Sequence, residues 1–314
     1  MSGASASPAP PRAVVFDTDG VLLDSAVVHA AAWKTAFDAF LAETAPGGAR
    51  EASGTPQAPG TPGTPEAPEA PDVREGHGAA EAPGPSRAPS PGLAGSVPPS
   101  TSPTSDAWAP FDADADYRRY VDGKSRFDGA EAFLTARGIR LPAGRPDDPP
   151  GHDTIWAVAA RKEAAFQDAL AAAPLAAFTD AAEALAHLLA LRIPCAAVSA
   201  SRHARALLRA TGLTPLLATI VDGEDAARLG LAGKPDPALF LHAAGLLGPG
   251  PGDTAVVEDA LAGVRAGHRG GFGLVAGVDR TPDGHGAAAL RAGGADLVVP
   301  DLMTLVGQVW GEIV

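Results

Sequence analysis

From Phe178 to the C-terminus, short apolar runs alternate with helical stretches, and no other feature restricts the possible fold so strongly. The helix "DAAEALAHLLALR" precedes the strand "PCAAVSA"; a helix from Arg202 to Gly212 precedes "LATIVDG". After "GKPDPALFLHAAGLLG" come the strand "TAVVEDA", a helix into "RAGHRGG", the strand "FGLVAGV", the helix "GAAALRAGGA" and a last strand "DLVVP". Strands separated by helices pair in parallel, and the crossovers cover both faces of the sheet. An earlier β-branched strand starts at Arg12, and the stretches "SAVVHAAAWKTAFDAFLAE", "DYRRYVDG", "GAEAFLTARGI" and "TIWAVAARKEAAFQDALAA" between it and Phe178 read as helices. The expected architecture is α/β: a Rossmann-like doubly wound parallel sheet over residues 13–25 and 178–314, with a small all-helical cap, residues 26–177, inserted after the first strand.

The 37 glycines and 31 prolines are unevenly spread. They crowd into residues 46–105, where large apolar side chains are scarce, so that segment cannot bury enough surface to offset its ordering entropy. It is expected to be a disordered insertion, tolerated because closure entropy grows only logarithmically with length; residues 1–12 are expected to be a disordered N-terminus. Elsewhere a hydrophobic content of 46% is ample for a core. With 24 Lys and Arg against 37 Asp and Glu, the net charge of −13 argues against binding nucleic acid or an anionic membrane. Any anionic ligand must then meet local cations or a metal. The single cysteine, Cys195, excludes an intramolecular disulfide and a multi-cysteine zinc site, and its apolar neighbours suit a buried, inert thiol. The opening "MSGASASPAPPR" lacks the apolar region of a secretory signal, and no window approaches the ~20 apolar residues of a membrane span. A cytoplasmic monomer without a protein partner is expected.

In a parallel sheet the ligand crevice lies beyond the carboxyl ends of the strands. Four ends carry complementary groups: Asp17 and Asp19 in "FDTDG", Ser199 and Ser201 in "VSAS", Lys234 in "GKPDP", and Glu258 with Asp259 in "VVEDALAG". Singly each has an ordinary explanation. Asp and Gly favour turns, Ser caps helices, lysines are usually solvated, and acids suit helix N-termini. Together, at the ends of successive strands, they argue for a reaction site.

These four motifs, in this order, resemble those of the haloacid dehalogenase-like phosphotransferase superfamily, over the whole chain from Ala13 except the Pro-rich segment. The resemblance implies that Asp17 is a nucleophile that accepts a phosphoryl group as an aspartyl phosphate, splitting one hard transfer into two. It implies Mg²⁺ held by Asp17, the backbone carbonyl of Asp19, and Asp259, with Glu258 close by. Lys234 would offset charge on Asp17 and the phosphoryl, while the Ser199 hydroxyl and the following helix N-terminus would bind its oxygens. Asp19 is left as the general acid/base. A dehalogenase in the strict sense calls for neither Asp19 nor a metal, so Asp19 and the Glu-Asp pair point to phosphoryl transfer.

Within that superfamily, the cap sequence resembles the β-phosphoglucomutase family. "DGVLLDSAVVHAAAW" matches its hinge segment and brings in His29 and Trp33; "DGKSRFDGAEAFL" matches its G-x-S-R-x-D segment and assigns Arg126 to a distant phosphate. "ARKEAAF" supplies Lys162, and "SASRH" places Ser201 and Arg202 near the same ligand. Two positions depart from the family: His203 stands where Asn is usual, and Asp122 where Lys is common. A bisphosphorylated sugar needs a second anion site, best made by a bidentate Arg. The expected activity is that of an isomerase acting on a sugar phosphate, interconverting β-glucose 1-phosphate and β-glucose 6-phosphate through the 1,6-bisphosphate. The alternatives are a sugar-phosphate hydrolase, a phosphonate hydrolase using Lys34 or Lys162 as an imine, and a non-catalytic binder that recruits partners through the Pro-rich arm. The last has no need of Asp17, Asp19, Ser199, Lys234 and Asp259 together.

Overall fold

The computed structural model describes residues 9–45, 105–173, 175–281 and 284–311. Apart from Ser105, which opens a 3-10 turn running to Trp108, the Pro-rich segment lies outside the described residues, as do residues 1–8 of the expected N-terminal tail. Residues 11 and 12 of that tail are not free. Trp310 Nε1 donates to the Pro11 carbonyl at 3.0 Å, and the Arg12 N–H donates to the Asp253 carbonyl at 2.7 Å, so these backbone groups find partners just before the first strand.

Six parallel strands form one sheet in the order β3-β2-β1-β4-β5-β6. They are β1 (Ala13–Asp17), β2 (Cys195–Val198), β3 (Thr219–Val221), β4 (Thr254–Glu258), β5 (Leu274–Val278) and β6 (Leu297–Val299). Every residue of β1, β2 and β4 is buried, as strands covered on both faces require. One apolar layer holds Val14, Phe16, Leu185, Leu188, Val257 and Leu305, and the opposite layer holds Val15, Val198, Phe240, Val256 and Val264. Cys195 lies at 2% exposure in the first layer, where burial pushes its thiol up to about 12. Connections run outward from β1 to both edges, so the order reverses beside β1. That switch point opens a crevice at its carboxyl end, where Asp17 stands.

Ten α-helices lie among the described residues: α1 (Ala26–Thr44), α2 (Arg126–Ala136), α3 (Ile155–Ala172), α4 (Thr179–Ala190), α5 (Ala204–Ala210), α6 (Gly223–Leu229), α7 (Ala238–Leu247), α8 (Leu261–Arg269), α9 (Ala287–Gly293) and α10 (Leu302–Trp310). The expected helix in "DYRRYVDG" is only a π-helical turn, Tyr117–Val121, closed by Gly123 at φ +69°. Helices α1, α2 and α3 share a separate apolar cluster in which Phe37 packs on Phe133 at 4.1 Å and on Trp33 at 4.8 Å between ring centres. These cap helices join the sheet unit through two adjacent strands of chain. Phe178 N–H donates to the Leu22 carbonyl at 3.0 Å, and Asp24 N–H donates to the Ala176 carbonyl at 3.1 Å. Among the described residues no helix is long and apolar enough to cross a membrane.

Candidate active site

β1 ends at Asp17, and the turn that follows is shaped by Gly20. Its φ is +85°, and a Cβ there would lie 1.8 Å from Asp259 Oδ2, so only glycine lets the first turn approach the loop after β4. Asp17, Glu258 and Asp259 each bring a carboxylate oxygen to within 4.8 Å of the others. The buried Lys234 ammonium donates to both Asp17 Oδ1 and, at 2.6 Å, Glu258 Oε1. Glu258 Oε2 accepts from the Ala260 N–H at 2.7 Å, so both its oxygens are engaged. Asp259 Oδ1 is buried without a hydrogen-bond partner.

Burial pushes the Asp17 carboxyl well above the ordinary range, Lys234 pulls it back, and the charge of Glu258 pushes it up again. Burial likewise raises Asp259, with Asp122 and Glu258 adding to the effect. Burial alone would lower Lys234, but Asp17 and Glu258 outweigh it and hold the ammonium protonated. One ammonium cannot balance three ionised carboxylates, and burial and mutual repulsion accordingly raise Asp17 and Asp259. Hard oxygen donors, an orphaned carboxylate oxygen and that shortage of positive charge fit a divalent cation such as Mg²⁺.

Asp19 points away from this cluster. Its Oδ1 accepts from Ser25 Oγ at 2.6 Å and faces His29 Nε2 at 3.3 Å, and its Oδ2 accepts from Ser199 Oγ at 2.7 Å. Burial would raise this carboxyl, but His29, Ser25 and Ser199 hold it well below the ordinary range, and it is ionised. His29 Nδ1 meets Lys162 Nζ at 2.9 Å, so the tautomer that satisfies both bonds carries its proton on Nε2. Burial and the Lys162 ammonium both push His29 down, and burial pushes Lys162 down to about 8. His29 stacks on Phe166 at 4.2 Å, which fixes the ring plane.

A cavity of about 520 Å³ joins these groups to the cap; its lining includes Asp17, Asp19, Lys234, Arg126, Ser201 and Arg202. Most residues singled out in the sequence therefore converge. Trp33 touches the same cavity, but it is only 3% exposed and belongs mainly to the apolar cluster of the cap. Lys162, an ordinary surface cation by its sequence context, is buried. The Asp19 side chain is outside the carboxylate group that could hold a metal, which leaves to Asp19 the role expected of its backbone carbonyl alone. One expectation changes in detail. The Ser199 hydroxyl, expected on phosphoryl oxygens, donates to Asp19 and accepts from the Ser201 N–H at 2.9 Å, because a buried hydroxyl between those partners satisfies both. Lys34 instead bonds Asp38 at 2.8 Å and the Phe111 carbonyl at 3.0 Å.

Sequence reasoning missed Ser25, Tyr117, Trp156 and Glu163. Ser25 has a legible signal, a serine at the start of a helix five residues after the Asp-Gly turn; the others are ordinary cap residues until the cavity is seen. Asp122, noted in the sequence as a departure, lines the cavity, and burial followed by the charge of Glu258 pushes its carboxyl up to about 7.

A family model described as haloacid dehalogenase-like hydrolase matches residues 11–271. A β-phosphoglucomutase of Mycobacterium bovis is 36% identical over 295 residues, which is 94% of this chain and 91% of that protein. Among solved structures, a haloacid dehalogenase family hydrolase from Deinococcus radiodurans with bound phosphate and sodium is 26% identical at a TM-score of 0.54, covering 96% of each chain. A β-phosphoglucomutase from Clostridium difficile is 17% identical at a TM-score of 0.58, covering 94% of this chain and 93% of its own, a likeness of fold. This chain is an enzyme of the haloacid dehalogenase-like hydrolase family, in the part of it that resembles β-phosphoglucomutases.

Proposed function

We propose that the protein is a Mg²⁺-dependent β-phosphoglucomutase, moving a phosphoryl group between the 1- and 6-oxygens of β-glucose through an aspartyl phosphate on Asp17 and the 1,6-bisphosphate. One observation carries the reading: a single cavity is lined by Asp17 and Lys234 from the strand ends, by Arg126 from the cap helix α2, and by Ser201 and Arg202 from the loop between β2 and α5. A nucleophile at one anion site and guanidinium groups at another suit a substrate with two phosphates, for which a simple phosphatase has less use. The similarity to a mutase along nearly the whole chain supports the same choice.

Asp17, Asp259 and the Asp19 carbonyl would hold the metal, with Glu258 beside them bonded to Lys234. When bound, Mg²⁺ neutralises charge between a carboxylate nucleophile and an anionic phosphoryl group. The ionised Asp19 begins as a base: it takes the proton of the sugar hydroxyl while that oxygen attacks phosphorus and the P–O bond to Asp17 breaks. In the return transfer, an Asp17 oxygen attacks the other phosphate, the P–O bond to the sugar breaks, and Asp19 returns its proton to the leaving oxygen. His29 and Lys162 hold Asp19 in reach and keep its charge, and the Lys234 ammonium meets the charge on Asp17. Cap helices over the strand ends limit attack by water, the step that would make the enzyme a hydrolase.

The test supplies purified protein with Mg²⁺, β-glucose 1-phosphate and a trace of the 1,6-bisphosphate, and follows glucose 6-phosphate and inorganic phosphate together. Glucose 6-phosphate without matching phosphate release supports the mutase. Phosphate release alone makes this a capped sugar-phosphate hydrolase.

A further inference from the structure

The proposed reaction uses Arg126 as the holder of the far phosphate, yet in this structure Arg126 already holds an anion. Arg126 Nη1 lies 3.4 Å from Glu163 Oε2. Glu163 Oε1 accepts from Gln167 Nε2 at 2.9 Å and contacts His203 Nε2. Arg126 and Glu163 come from the cap helices α2 and α3, whereas His203 stands at the start of α5 on the sheet unit. Arg202, next to His203, faces Arg126 with like charge, and the Arg126 guanidinium lies 5.5 Å from the centre of the Trp156 ring. Side-chain exposures of 18% for Arg126, 19% for Glu163 and 29% for His203 leave the cluster largely covered, and Arg126 and Glu163 line the cavity. Donors from two bodies thus converge on one carboxylate, as they would converge on a phosphate.

We propose that Glu163 is a specificity-determining residue: its carboxylate occupies the distal phosphate site of the free enzyme, latches α3 to the start of α5, and yields only to a substrate with a phosphate at its far end. The inference rests on the reading of Arg126 as the distal phosphate site. A phosphate offers more charge and more acceptor oxygens than a carboxylate, so it displaces Glu163 from Arg126 and His203, whereas a hydroxyl does not. Burial would raise the Glu163 carboxyl, but His203 outweighs it and holds the group down at about 2, so it stays anionic wherever the enzyme works. His203, a departure already noted in the sequence, then has a role: it is the core's half of the latch.

The latch makes Glu163 a competitor of the substrate. In Glu163→Gln the competing charge is gone, and the KM for β-glucose 1-phosphate falls on the order of tenfold, the scale of one unit charge a few ångströms from a phosphate in a partly hydrated site. The KM for p-nitrophenyl phosphate, whose single phosphate must go to the Asp17 end and leaves the distal site empty, moves much less, and kcat for the sugar phosphate changes less than KM. Glu163→Asp, with the carboxylate drawn back by one methylene, gives an intermediate KM. An unchanged or raised KM for the sugar phosphate in Glu163→Gln overturns the proposal and makes Glu163 a residue that positions Arg126. If neither protein turns over β-glucose 1-phosphate while both hydrolyse p-nitrophenyl phosphate, the hexose phosphate reading and the latch fall together.

Discussion

Lys234→Met removes the ammonium that joins Asp17 to Glu258 while keeping much of the side chain's volume. The Lys234 side chain is 1% exposed, and its Nζ lies 4.8 Å from the centre of the Phe240 ring, so a thioether has an apolar neighbour to pack on. The change is therefore mainly electrostatic: two buried carboxylates are left facing each other. Breaking a buried pair by deleting one partner costs about 3–5 kcal/mol. That is a large part of the ~5–15 kcal/mol that holds an ordinary domain together. The pH dependence has a definite sign. Burial already raises Asp17 in the folded state, and the loss of Lys234 raises it further. A carboxyl raised on folding contributes stability below its unfolded pKa and loses it as pH rises through the folded value, by about 1.36 kcal/mol per pH unit and proton. Urea unfolding of metal-free protein, read as midpoints at constant slope, should show a larger deficit at about pH 8 than at about pH 5.5. Equal stability of variant and wild type at the higher pH, or a deficit that grows on acidification, would refute the argument.

Asp19→Asn keeps the hydrogen bond from Ser25 or Ser199 but cannot take a proton, so sugar-phosphate turnover should fall by about 10²–10⁴-fold in steady-state assays with little change in thermal stability. Gly20→Ala must move Asp259, since its Cβ would lie 1.8 Å from Oδ2 and the backbone sits at φ +85°. Mg²⁺ affinity measured by calorimetry should drop at least tenfold, at a stability cost of about 1 kcal/mol or more; unchanged affinity would mean that Asp259 is not a metal ligand.

Much of the architecture was legible because strands buried on both faces are written as unbroken apolar runs, as in "AVVF" and "CAAV". The reactive strand ends were legible because a parallel sheet gathers them at one edge. Two helices were missed. α6 is short and has no buried residue, so it carries no apolar stripe; its signal was the capping box of Asp222 and Asp225. α10 buries Leu302, Leu305 and Val306 behind an Asp301 cap, a helical spacing and cap that the sequence does carry. Partner choice was less legible than position. Ser199 could be placed at the site from sequence, but not its preference for Asp19. The Glu163 contacts with Arg126 and His203 join three separate stretches of chain, which only packing brings together.

Asp17 is the proposed acceptor of the phosphoryl group. The direct measurement incubates the protein with Mg²⁺ and the 1,6-bisphosphate, quenches in acid, and maps the added mass of one phosphoryl group by peptide mass spectrometry. The group is expected on Asp17, removable by hydroxylamine and absent in Asp17→Asn. A phosphoryl group on a serine, histidine or any other residue, or turnover that persists in Asp17→Asn, would contradict it.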